Sequence, residues 1–168
     1  MALPQSPISI NGAFVPPTGS VVQVVTTLSS AVATGTTTIP RDDTIPQNTE
    51  GDQYMSLAIT PTNSNNLLII ECVGVVSSSA ANESFTAALF QDTTANALAV
   101  GQNFQGTATA STALPIFYSM TAGTTSSTTF KVRIGGDGAG TTTFNGAGGL
   151  RKYGGITQSY MKITEVKV

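Results

Sequence analysis

Leu67-Leu68-Ile69-Ile70-Glu71-Cys72-Val73-Gly74-Val75-Val76 is the longest and most apolar run in the chain. Its β-branched residues suit a pleated strand, and both alternating faces are apolar. Such a strand is expected to be covered on both sides. Left open at an edge, it would be an aggregation site. Glu71 shares a face with Leu67, Ile69, Val73 and Val75. A carboxylate there is costly unless it is paired or near water. Two placements satisfy that condition: a subunit interface with a polar rim, or a barrel-mouth position close to solvent.

On either side of this run the chain reads as short strands separated by Gly, Pro and Asn. The segments are 21–27, 36–39 (stopped by Pro40), 54–60 (stopped by Pro61), 84–91, 97–102, 113–121, 128–134, 141–144 and 159–168. In 84–91, Phe85, Ala87 and Leu89 fall on one face. In 128–134, Phe130, Val132 and Ile134 oppose Lys131 and Arg133. In the last segment Met161 and Ile163 oppose Lys162 and Thr164. No stretch carries a convincing 3.6-residue period, although 92–99 could form one helical turn. Many short strands without an internal repeat predict an antiparallel sandwich or barrel, not a propeller or solenoid.

The 168 residues fit one domain with a core of its own. Charged residues make up only 10% of the chain, and Thr and Ser about a quarter, so much of the surface is neutral and hydrogen-bonding. Residues 1–19 differ from the rest. Pro4, Pro7, Pro16 and Pro17 exclude helix and central strand there. The segment is expected to be an extended arm preceding a domain at 20–168. Ile8, Ile10, Phe14 and Val15 would then be its contacts with a partner surface. A frayed terminus is the bland alternative.

The net charge of −2 and seven scattered basic residues do not suit phosphate neutralisation, so no nucleic-acid partner is expected. No apolar run is long enough to span a bilayer and no basic-plus-apolar leader opens the chain, so no membrane partner is expected either. There is no His, which removes the commonest general base, His-based triads and most zinc sites. Cys72, the single cysteine, sits in the most apolar strand and reads as structural. Asp42, Asp43, Glu50 and Asp52 cluster in one region. They read as an acidic turn, ahead of a calcium site without the usual loop spacing and ahead of a glycosidase pair without Trp platforms. Gly135-Gly136-Asp137-Gly138-Ala139-Gly140 precedes a strand-like segment, which argues against a phosphate cradle. No catalytic residue, cofactor or metal is expected. Arg151, Lys152 and Tyr153 lie between Gly-Gly pairs. They read as a solvated loop, or as a contact point for a glycan or a neighbouring protein, since Arg and Tyr are enriched at contact hot spots.

Two stretches carry a resemblance. The first runs from Ile39-Pro40-Arg41-Asp42-Asp43-Thr44-Ile45-Pro46-Gln47-Asn48-Thr49-Glu50-Gly51 to Ile59-Thr60-Pro61 and the Leu67 strand. The second runs from Asn145-Gly146 through Tyr153-Gly154-Gly155 to Ser159-Tyr160-Met161-Lys162-Ile163-Thr164-Glu165-Val166. Together they resemble bacteriophage virion proteins with a jelly roll similar to tumour necrosis factor and C1q, over residues from about 20 to the end. The resemblance implies a homotrimer. It also gives Asp42, Asp43 and Ile45 the role of a rigid loop between subunits. The resulting expectation is an all-β jelly roll with an extended N-terminal arm, non-enzymatic, made in the host cytoplasm and carried on the outer surface of a virion. Its expected role is a trimeric capsid decoration (cement) protein bound to the major capsid protein or another virion protein. The short arm and the lack of a stalk favour that over the alternative, a receptor-binding tip of a tail fibre that meets a host glycan.

Overall fold

The computed structural model describes residues 15–168. Twelve strands are present: β1 (Val21–Ser29), β2 (Ala33–Gly35), β3 (Asp52–Ile59), β4 (Leu67–Ser78), β5 (Glu83–Gln91), β6 (Ala99–Gln105), β7 (Thr112–Thr121), β8 (Thr128–Gly136), β9 (Thr142–Phe144), β10 (Gly146–Ala147), β11 (Leu150–Arg151) and β12 (Ser159–Val166). The only helical turn among the described residues is a 3-10 turn at Tyr153–Gly155.

The eight long strands form two antiparallel sheets. One runs β1-β12-β4-β7, with β9 and β2 continuing past the end of β4. The other runs β3-β8-β5-β6. Counting long strands alone, the orders are first-eighth-third-sixth and second-seventh-fourth-fifth, which is the double Greek key of a jelly roll. The all-β jelly-roll expectation therefore holds on connectivity alone. The core lies between the sheets. Leu68, Ile70, Cys72, Val76, Leu114, Ile116, Met161 and Ile163 meet Met55, Ile59, Phe85, Leu89, Phe130, Val132 and Ile134. Gly74 lets the sheets close up, because a Cβ there would lie 2.7 Å from the Ile134 methyl.

One expectation needs correction. Residues 36–39 are not a strand; the strand is β2, three residues earlier. The segment after β2 is instead tied down as a covering loop. Ile39 N–H donates to Gly136 O, Gly51 N–H donates to Thr38 O, and Thr37 donates to the Asp52 carboxylate. This loop also explains why β5 is buried on both faces. Phe85, Ala87 and Leu89 enter the main core, while Ala88 and Phe90 pack outward under Ile39. In β4 the Leu68–Cys72 face is fully buried and the Glu71 face is half-buried in the single chain. Of the residues assigned to the arm, Ile8, Ile10 and Phe14 lie outside the described residues. Val15 is exposed, and the chain beside it is held by Gly19 N–H on Lys167 O and Lys167 Nζ on Pro16 O.

Candidate functional site

Residues paired across neighbouring strands share a face, so register alone defines the outer surface of the larger sheet. Leu67, Ile69, Glu71, Val73 and Val75 point outward from β4. Opposite them on β7 are Thr121, Ser119, Phe117, Pro115 and Ala113. On the other side, β12 contributes Val166, Thr164, Lys162 and Tyr160. Beyond β12, β1 adds Val24, Thr26 and Leu28. Phe117, Val24 and Leu28 are large apolar side chains more exposed than buried, and the β4 residues between them are half-covered. The result is a surface with apolar side chains on all four strands, interrupted by Thr26, Thr164 and Ser119 and carrying one charge pair near its middle.

That pair is Glu71 with Lys162, directly opposite one another in the β4–β12 register. The hydrogen bond from Lys162 to Glu71 holds the ammonium above the ordinary lysine value. Glu71 is thus neither buried alone nor idle, as both placements considered for it require. Cys72 faces the opposite way, and burial, reinforced by the Glu71 charge, pushes its thiol to about 12. It is sealed as the sequence suggests.

The outer face of the second sheet differs. Gln53, Ser56, Lys131 and Arg133 give it polar character along β3 and β8. Its two cations are bound into the fold: Arg133 donates to the carbonyls of Glu50 and Gly51, and Lys131 donates to that of Asp92. Among the described residues, only β6, at the edge of this sheet, exposes large apolar side chains on its outer face, Val100 and Phe104.

On the inward side of β12, opposite Leu68 at the end of the core, a second carboxylate is fully buried. Glu165 faces the loop before β4, where its Oε1 accepts from Thr62 N (2.8 Å), Thr62 Oγ1 (2.8 Å), Asn63 N (3.3 Å) and Asn66 Nδ2 (2.7 Å). Burial pushes its pKa up, but these donors outweigh burial and leave it below the ordinary carboxylate value. Glu165 pins the β3–β4 loop to the last strand.

Asp42, Asp43 and Ile45 lie together on one exposed loop over β6. Asp42 caps its own turn, accepting from Thr44 N (2.9 Å) and Thr44 Oγ1 (2.6 Å), and these bonds lower its pKa. Glu50 and Asp52 are used separately, on Gln47 N–H and on Thr37. The four acids are therefore dispersed, and no group of three His, Cys, Asp or Glu able to hold a metal occurs among the described residues. Arg151 and Tyr153 are on an exposed loop at β11 and the 3-10 turn. Tyr153 has φ of 50°, an uncommon conformation outside Gly and Asn. Sequence reasoning missed Phe117, Val24 and Leu28. The signal was present for Phe117, which is out of phase with Leu114, Ile116 and Tyr118 in β7.

No family model matches the chain, and no curated protein matches it. Among solved structures it is similar to Eiger TNF from S. frugiperda, with 6% identity over 85% of this chain and 92% of that one, and a TM-score of 0.47. It is also similar to a chain of infectious bursal disease virus, Gx strain, with 11% identity over 100% of this chain and 42% of that one, and a TM-score of 0.39. Likenesses this distant carry no functional inference, and the jelly-roll assignment rests on the strand order.

Proposed function

We propose that the chain is a structural, non-enzymatic bacteriophage virion protein, which works as a homotrimer that decorates and stabilises the head shell. The observation that carries this reading is the apolar outer face of the β1-β12-β4-β7 sheet. An exposed apolar surface of this extent, centred on one charge pair, is the mark of an interaction site. Packing copies around a three-fold axis would cover it and leave the β3-β8-β5-β6 sheet facing outward. The jelly-roll strand order and the phage-like motifs at 39–51 and 145–166 support the same reading.

In this proposal the arm at residues 1–19, with Ile8, Ile10, Phe14 and Val15, clamps the domain to the major capsid protein. Three arms on one trimer would bind with avidity. Two experiments test it. Sedimentation of the full chain at micromolar concentration is expected to give a trimer; a stable monomer would refute it. Deleting residues 1–19 is expected to leave the trimer intact and abolish attachment to shells. Immunogold labelling at the tail tip, with host cells binding the isolated protein, would replace cement by a receptor-binding tip.

A further inference from the structure

The chain has seven Lys and Arg and nine Asp and Glu, all within the described residues. Among those residues, five of the basic side chains are engaged. Lys162 pairs with Glu71, Lys131, Arg133 and Lys167 donate to backbone carbonyls, and Arg41 reaches Ser84 Oγ at 3.5 Å. The two with no protein partner are neighbours, Arg151 and Lys152. Eight of the nine carboxylates are engaged as well. Asp42, Glu50, Asp52, Glu83, Asp92, Asp137 and Glu165 accept hydrogen bonds, and Glu71 has its lysine. The remaining one is Asp43.

These unengaged charges sit beside exposed apolar side chains outside the large sheet. Tyr153 and Ile156 are both 80% exposed, and Leu150 is 66% exposed, around Arg151 and Lys152. Beside Asp43, Ile45 and Pro46 form one wall of an open groove whose other wall is Leu98, just before β6, and Val100 within it. Both patches are preset. The tip is shaped by positive φ at Tyr153, Gly154 and Gly155, and the acidic loop is fixed by the Asp42–Thr44 turn.

We propose that the Arg151–Ile156 tip of one copy docks into the Asp43–Ile45/β6 groove of a second copy. Arg151 and Lys152 meet Asp43 and the outer oxygen of Asp42, while Tyr153 and Ile156 cover Ile45 and Val100. The partner is a second copy because both halves, complementary in charge and in apolar character, are on this chain. The two patches differ, so the contact is heterologous and propagates head to tail into rings or extended arrays. Tyr and Arg at its centre are the residue types that anchor such contacts. The proposal is independent of the apolar sheet face.

Full-length chains carrying Asp43→Cys and Lys152→Cys, each with a different tag, are mixed and mildly oxidised. Buried Cys72 stays out of the reaction. A 43–152 disulfide between differently tagged chains is the expected product. In a second measurement Asp43→Lys and Lys152→Asp each weaken self-association about tenfold, and combining them restores it. Absence of the mixed disulfide, or no response to either charge reversal, would overturn the proposal. Tip-dependent binding to vesicles of anionic lipid, without self-association through the tip, would overturn it too. Association that survives all these variants yet yields to Phe117→Ala would leave the sheet-face reading standing.

Discussion

Phe117→Ala separates folding from assembly. The side chain is 69% exposed in the single chain. An aromatic residue presents roughly 200 Å² to solvent when fully exposed, so about 140 Å² remains to be covered by a partner. At about 25 cal/mol per Å², covering it contributes roughly 3 kcal/mol per subunit, of which the β-carbon left by alanine retains a small part. A loss of 2–3 kcal/mol corresponds to a weakening of association by about a hundredfold. Little of this ring contributes to the monomer's core, so the melting curve of dilute, dissociated protein should shift by under about 1 kcal/mol. Sedimentation equilibrium across a wide concentration range gives the first quantity, and thermal denaturation gives the second. Ser56→Ala, on the polar face, is the control and should change neither. Association unchanged by Phe117→Ala would refute the view that this face is an interface. An equal loss in the monomer's melting would show that the ring belongs to the fold.

Three further outcomes are expected. Glu165→Leu leaves the donors of Thr62, Asn63 and Asn66 without their acceptor and should cost about 2–3 kcal/mol in chemical denaturation. Because the folded pKa of Glu165 lies below its ordinary 4.5, its contribution is present at neutral pH and lost as pH falls through the folded value; Glu165→Gln should flatten that part of the acid denaturation curve. Gly101→Ala would place a Cβ 1.9 Å from Pro115 O, where only backbone movement relieves the clash, so β6 should separate from β7 at a cost of about 3 kcal/mol in denaturant unfolding. Cys72, with its thiol near 12 and fully buried, should resist alkylation in native protein at pH 8 and react fully in denaturant.

Local pattern made most of this fold legible. The Leu67 run places a strand, and the Phe130-Val132-Ile134 and Met161-Ile163 alternations each place a strand and its inward face correctly. Failures arise where the deciding partner is remote in sequence. A strand with two apolar faces, such as β4, gives no local sign of which face meets the second sheet. Only the register with β7 and β12 decides that. Thr36–Ile39 has strand-like composition, yet hydrogen bonds to Gly51, Asp52 and Gly136 make it a cover over β5. The donors that hold Glu165 lie about a hundred residues earlier, so its role has no local signature. The Arg151 and Asp43 loops were identifiable as exposed, but their lack of partners could be recognised only once the other charges had been traced to theirs.

The position of β12 has a consequence for biogenesis. The last strand occupies an interior slot, hydrogen-bonded to β1 on one side and β4 on the other. Until the ribosome has released it, the most apolar strand of the chain has an open flank, and the first strand has nothing to pair with. Topologies dominated by such distant pairings form slowly. The sheet is therefore expected to close only once β12 has emerged, and a product stopped before residue 159 should aggregate through the exposed flank of β4.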